Sequence, residues 1–137
     1  LPISIVYTSI KKEFDCFGLN DRIIEIPPVL SHEQYIKLLG AMDINTHVTF
    51  AESWGQVITE SLILEVPCLA SLNSGIFDFD SELGKLLIVK EFDNSAAIAE
   101  QIKRVLPFKE EIGRKGREYV LKLNKMADER LAEWLND

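Results

Sequence analysis

Short apolar runs and longer amphipathic stretches alternate along this chain, with turn residues between them. The apolar runs have the length and composition of strands in a buried sheet. We predict five such strands, at residues 3–9, 22–29, 43–50, 66–71 and 85–89.

The amphipathic stretches predict helices between and after these strands. In the segment 31–42, Ser31 is followed three residues later by Gln34, which is typical of a capping box at a helix start. The other predicted helices lie at residues 55–65, at 93–106 with Asp93 or Asn94 as the cap, and in two separate segments at 108–123 and 126–135. Strands that alternate with helices in this way predict an α/β fold, a parallel sheet with helices on both faces.

Composition and charge narrow the classes of function. The 137 residues fit one domain with a single sizeable core. A net charge of −7 argues against a nucleic-acid or anionic-membrane binder, because those surfaces attract clustered lysine and arginine. Cys16 and Cys68 lie too far apart for metal-ligand spacing, so we expect reduced thiols in a cytoplasmic protein. The sequence shows no signal-peptide pattern and no apolar stretch that approaches the roughly 18 residues of a membrane span, so we expect neither feature in these residues.

The stretch AESWGQVITES, residues 51–61, carries the candidate chemistry. Ligands of open parallel sheets bind beyond the carboxyl ends of the strands, where this strand-to-helix turn lies. A helix that begins near Trp54 or Gly55 presents unpaired amides and a positive dipole end, which suit a phosphate group. Glu52 precedes the turn, and Glu60 follows it by roughly 8 Å of helix at roughly 1.5 Å per residue. Carboxylates accept hydrogen bonds from vicinal hydroxyls, so this pattern matches a nucleotide sugar.

Several neighbouring residues have two interpretations. Trp54 either packs at the domain surface or borders a sugar. His47 lies in a buried-type strand, and we expect a core histidine whose hydrogen bonds are satisfied. Asp43, Asp78 and Asp80 lack metal-ligand spacing, so we expect no metal site.

The segment HVTFAESWGQVITESLILEVPCLAS, residues 47–71, resembles the E-x7-E region of retaining glycosyltransferases with the GT-B fold, especially glycosyltransferase family 4. The likeness extends on both sides and covers nearly the whole chain. In this sequence Val48 and Thr49 stand where the family has Pro-Ser, and Glu65 stands where it has the glycine of Gly-x-Pro.

The resemblance implies a Rossmann-like, donor-binding C-terminal domain over residues 1–137, without its first segment and without the N-terminal acceptor domain. It implies transfer of a sugar from a nucleotide-sugar donor to a cell-surface polysaccharide or glycolipid, with retention of configuration. The isolated fragment would be inactive. Acceptor binding and any peripheral membrane contact would belong to the missing domain. The last helix of this chain could either cross to that domain or pack on this one.

The resemblance also implies the roles of individual residues. Glu52 would be the catalytic residue and would contact the hydroxyls of the donor sugar. Amides of residues 54–57 would hold the sugar and the diphosphate, and Glu60 would bind the ribose hydroxyls. The implied substrate-binding residues are Glu52, Ser53, Trp54, Gly55, Gln56, Val57 and Glu60, with no metal and no cofactor beyond the donor itself. The alternative from another class is a non-catalytic α/β nucleotide-binding or regulatory module.

Overall fold

A computed structural model describes residues 5–7, 23–26 and 29–136. Its strands are β1 (Ile5–Tyr7), β2 (Ile23–Glu25), β3 (Asn45–His47), β4 (Cys68–Ser71) and β5 (Ile88–Val89). Its α-helices are α1 (His32–Gly40), α2 (Gln56–Ile63), α3 (Ser81–Leu87), α4 (Ser95–Val105) and α5 (Lys109–Asn136), with 3-10 turns at Gly75–Phe77 and Leu106–Phe108. The chain divides into two compact units, one ending at Tyr35 and the other beginning at Ile36.

The first unit contains a parallel pair of strands and the start of α1. Strand β1 pairs with β2, with Ile5 opposite Ile23. The Ser31 amide donates to Gln34 Oε1 at 2.9 Å, and the Gln34 amide donates to Ser31 Oγ at 3.2 Å. These reciprocal bonds confirm the predicted capping box. Cys16 and parts of the first two predicted strands lie outside the described residues.

The second unit is built on a three-stranded parallel sheet in the order β3-β4-β5. Its central strand β4 is fully buried, which is why the sequence there reads as a continuous apolar run rather than an alternating one. Helices flank the sheet, so the predicted α/β, Rossmann-like fold is confirmed. The buried core joins sheet and helices through Ile58, Leu62, Cys68, Leu69, Ala70, Ile76, Phe77, Leu83, Leu87, Val89, Val105, Ile112, Tyr119 and Val120.

The turn between α2 and β4 contains Glu65, one of the positions where the sequence departs from the resembled family. The Val66 amide donates to Ser61 O at 3.0 Å and the Glu65 amide to Leu62 O at 3.0 Å, which together form a Schellman motif at the end of α2. Glu65 takes the left-handed conformation of this motif, with φ 63°. That conformation favours glycine, the residue that the resembled family has here. Arg117 Nη1 donates to Glu65 Oε1 at 2.9 Å and holds the side chain on the surface.

Three sequence predictions of helix and strand boundaries are wrong. Strand β3 ends at His47, so residues 48–50 lie in the loop that follows it rather than in the predicted strand. Residues 85–87 belong to α3 rather than to the fifth strand, because the Asp80 carboxylate accepts from the Glu82 and Leu83 amides and starts a helix that continues through the apolar run. The two predicted C-terminal helices form the single 28-residue helix α5. Neither this helix nor another in the described ranges is long and apolar enough to cross a membrane.

Candidate functional site

The candidate site lies where β3 and β4 end side by side. Three hydrogen bonds join the loop after β3 to the end of β4 and the loop that follows it. The Thr49 amide donates to Ser71 Oγ at 3.2 Å, Asn73 Nδ2 donates to Phe50 O at 2.9 Å, and the Gly75 amide donates to Ser53 O at 3.0 Å. The backbone around Glu52 is therefore anchored to the most buried strand of the sheet.

Helix α2 begins at this edge with a glycine cap. Gly55 has φ 88° and ψ 64°, in the left-handed region, and a Cβ built there would lie 2.4 Å from Ile58 Cδ1. Its carbonyl accepts the first helical hydrogen bond, from the Thr59 amide at 3.1 Å, but glycine has no side chain to cap the amides that follow it in the first turn. The amides of Gln56 and Val57 thus lie at the positive end of the helix dipole without a capping side chain. This is the geometry predicted for an anion-binding turn.

The Glu52 carboxylate is held at both oxygens. Its Oε2 lies 2.7 Å from His47 Nε2, and its Oε1 accepts from the Ser53 amide at 2.8 Å. The hydrogen bond from His47 and then that from the Ser53 amide lower the pKa of Glu52 below its usual range, against a smaller opposing effect of burial. Because an ionised carboxylate only accepts hydrogen bonds, the proton in the first contact lies on His47 Nε2.

This pair remains accessible. The exposed fractions are 27% for the His47 side chain and 22% for the Glu52 side chain. An ionised carboxylate has about four lone-pair sites, and the hydrogen bonds with His47 and the Ser53 amide, with a weaker contribution from the Gly55 amide, do not use all of them. Glu52 can therefore accept further hydrogen bonds from hydroxyl groups of a ligand.

Glu60 lies on the outward half of α2. It follows Gln56 by four residues and so shares its face, about one turn further along the helix. The opposite face carries the fully buried Ile58 and Leu62, which pack in the core. Glu60 itself is half-buried, and Trp54 at the turn is 44% exposed, which is compatible with both of its interpretations.

The structure thus places Glu52, Ser53, Gly55, Gln56 and Val57 at one strand-to-helix turn, with Glu60 on the helix behind it. His47 is satisfied, as expected of a strand histidine, but its partner is Glu52 at the sheet edge rather than a core group. Ser71, Asn73 and Gly75 also contribute to the edge and were not predicted as site residues. Their position in the sequence could have identified them, because each lies at the end of a predicted strand or in the loop that follows it.

The described part of the chain has surface grooves away from this edge. Two surface grooves of about 470 and 590 Å³ lie between α3, α4 and α5, and none of the predicted site residues lines either of them. Within residues 29–136 and the two short strands before them, no three His, Cys, Asp or Glu side chains gather as metal ligands would. Among the described residues, the candidate site is accessible at the sheet edge, where Glu52 is partly exposed and Trp54 is exposed.

Comparison with known proteins supports the fold. No protein-family model matches the chain, and no curated protein matches its sequence. Among solved structures, sucrose-phosphate synthase from Thermosynechococcus elongatus, a glycosyltransferase, superposes with a TM-score of 0.67 at 19% identity. The likeness covers 93% of this chain but only 38% of the synthase. At this identity it shows that the two proteins share a Rossmann-like α/β fold.

Proposed function

We propose that this chain is the donor-binding C-terminal half of a GT-B glycosyltransferase that transfers a sugar from a nucleotide-sugar donor with retention of configuration. The main supporting observation is the arrangement of one strand-to-helix turn. An ionised Glu52 precedes the turn, the uncapped amides of Gln56 and Val57 lie on it, and Glu60 follows on the outward face of the helix. A glycosyltransferase as structural neighbour adds support.

Each part of the turn has a role in this proposal. The amides at the start of α2, together with Ser53 and Trp54, bind the sugar and the diphosphate. Their dipoles stabilise the departing diphosphate as negative charge develops on it, which lowers the barrier to transfer. Glu52 accepts hydrogen bonds from donor-sugar hydroxyls, and Glu60 accepts them from the ribose. The reaction needs no metal and no cofactor besides the donor.

The acceptor belongs to the other half of the enzyme. A cell-surface polysaccharide or glycolipid would bind to an N-terminal domain, which would also make any peripheral contact with a membrane. The reaction would take place in the cytoplasm, where nucleotide sugars are the substrates of such enzymes.

Calorimetric titration of the protein with UDP, GDP and ADP tests the proposal directly. We expect one of the three to bind at least about tenfold more tightly than the others, because a base contact adds to a shared diphosphate site. If no nucleotide binds, the proposed function is wrong. If a nucleotide binds but the full-length protein neither transfers nor hydrolyses any sugar donor, the regulatory nucleotide-binding alternative is favoured.

Glu60→Gln tests the ribose contact. A hydrogen bond to a charged group contributes about 1.5 to 3 kcal/mol, so affinity for the nucleoside diphosphate should fall by roughly 10- to 150-fold. The matched control is Glu118→Gln, which makes the same chemical change at an exposed position on α5. If Glu60→Gln binds the nucleoside diphosphate with unchanged affinity, Glu60 does not contact the ribose.

A further inference from the structure

His47 is the last residue of β3 and a direct partner of the Glu52 carboxylate. The two residues are five positions apart, so the contact depends on how the loop after β3 folds back. The backbone position of His47 is set by the sheet, where it lies opposite Ala70 of the buried strand β4. His47 therefore presents its imidazole from the rigid side of the site.

We propose that His47 is a positioning residue for donor-sugar binding: its Nε2–H holds the Glu52 carboxylate in the orientation that receives the sugar hydroxyls. This inference rests on the proposed function above. It adds a residue to the site that the Glu-x7-Glu pattern does not contain.

Two independent anchors make the orientation specific. His47 holds one carboxylate oxygen from the end of β3, and the Ser53 amide holds the other from the loop. Ser53 is itself fixed, because its carbonyl accepts from the Gly75 amide beyond β4. With both oxygens bound, the rotatable bonds of the Glu52 side chain are ordered before a donor arrives, so donor binding does not bear that entropic cost.

The lowered pKa of Glu52 agrees with this geometry. The hydrogen bond from His47 is the largest cause of that lowering, ahead of the Ser53 amide. Without His47, the carboxylate would lose the contact at Oε2 and could rotate about its hydrogen bond with the Ser53 amide. The expected loss is one of alignment in the transition state, since small misplacements of a positioned group reduce the rate by up to about 100-fold.

Kinetics of the full-length protein test the inference through His47→Ala and His47→Gln. His47→Ala should lower kcat for sugar transfer by roughly 10- to 100-fold, while affinity for the free nucleoside diphosphate stays within about twofold. His47→Gln should recover part of that loss, because the glutamine amide can place a donor near the position of Nε2. His32→Ala is the matched control, since His32 is the other histidine of the chain and lies exposed on α1.

A double-mutant cycle separates positioning from a general structural role. If His47 acts through Glu52, adding His47→Ala to Glu52→Gln should lower kcat by less than about threefold further. Equal losses in both backgrounds would overturn the inference, and so would an unchanged kcat in His47→Ala when Glu52→Gln alone is impaired. If His47→Ala does not fold, the same comparison with His47→Gln decides.

A second readout does not depend on activity. Carbon-13 NMR of the Glu52 carboxyl group should show a higher pKa in the His47 variants than in the wild type, and an unchanged pKa would contradict the contact. Failure of the proposed function itself would look different. In that case neither the wild-type protein nor the His47 variants would bind a nucleoside diphosphate.

Discussion

Burial raises the pKa of one residue of this chain, and hydrogen bonding lowers the pKa of another. Cys68 lies in the fully buried strand β4, and desolvation raises the pKa of its thiol to about 12. Glu52 lies at the accessible edge of the same sheet, and hydrogen bonds from His47 and the Ser53 amide lower the pKa of its carboxyl group. The thiol is thus an inert part of the core, whereas the carboxylate is charged and available to a ligand.

The buried thiol should resist chemical modification. At pH 8 we expect iodoacetamide to leave Cys68 unlabelled in the native protein and to label it once urea has unfolded the chain, because the reactive species is the thiolate and the native thiol is neither ionised nor accessible. Mass spectrometry that locates the label at Cys68 measures this. Labelling of Cys68 at equal rates with and without urea would contradict the buried position.

The same pKa shift predicts a pH dependence of stability. Since the folded pKa of about 12 lies above the ordinary value of 9.0, Cys68 contributes stability that is complete below about pH 9 and is lost as the pH rises towards 12. Over that range the free energy of unfolding should fall by up to about 1.4 kcal/mol per pH unit more steeply in the wild type than in Cys68→Ala. Urea denaturation at pH 8, 9.5 and 10.5 checks this difference in slope.

At the scale of elements, caps and close contacts set where helices start and how they pack. The sequence pattern allows either Asp93 or Asn94 as the N-terminal cap of α4. In the structure Asn94 Oδ1 accepts from the Ala96 amide at 3.0 Å and from the Ala97 amide at 3.4 Å, so Asn94 is the cap.

This assignment predicts that substitutions at two adjacent residues differ in their effect on the free energy of unfolding. Asn94→Ala should reduce the free energy of unfolding by about 0.5 to 2 kcal/mol, because two amides at the start of α4 lose their acceptor. Asp93→Ala is the control, and as an exposed residue outside the cap it should change stability by less than about 0.5 kcal/mol. Urea denaturation of both variants compares them, and equal losses would show that Asn94 does not act as the cap.

The contact between α5 and the turn after α2 depends on Gly113. A Cβ at this position would lie 1.9 Å from the backbone oxygen of Glu65, and that turn is fixed by its Schellman hydrogen bonds. Gly113→Ala should therefore destabilise the protein by about 3 kcal/mol or more, although alanine is otherwise the better helix former.

Gly40 offers a matched control for this substitution. A Cβ at Gly40 would approach Leu64 no closer than 3.6 Å, which is an ordinary contact. Gly40→Ala should be neutral or should stabilise the protein by up to about 1 kcal/mol. Thermal or urea denaturation that shows equal effects for the two substitutions would contradict the close packing of α5.

At the scale of the whole molecule, the described residues leave the candidate site accessible at an edge of the sheet, with Glu52 partly exposed. The predicted site residues line neither groove between α3, α4 and α5, and the chain spans only 38% of the synthase whose fold it shares. A transferase site must exclude water and hold two substrates together, which usually requires closure of a second part of the protein.

We therefore expect the isolated 137-residue chain to bind a nucleoside diphosphate but to transfer no sugar. Calorimetry measures the binding, and chromatography of a labelled donor incubated with candidate acceptors measures the transfer. Donor hydrolysis without transfer agrees with the prediction. A glycosylated product formed by the isolated chain would contradict it.

Most features that the sequence by itself determined depend on patterns among neighbouring residues. The alternation of apolar runs with amphipathic segments was sufficient for the α/β fold, because strand and helix periods are properties of neighbouring residues. The capping box of Ser31 and Gln34 and the glycine turn at Gly55 were also readable, since a helix start needs particular residues within three or four positions. In the apolar run 85–89 the same reasoning failed, because a buried helix end and a buried strand have the same composition.

Tertiary structure alone decided what meets at the edge of the sheet. Ser71 lies 22 residues from Thr49 in sequence, and Gly75 lies 22 residues from Ser53, yet parallel strands bring these pairs into hydrogen-bond distance. The pairing of His47 with Glu52 likewise depends on how the loop after β3 is anchored to β4. No periodicity encodes such contacts, because they arise from which strands become neighbours and from where their loops are then constrained to lie.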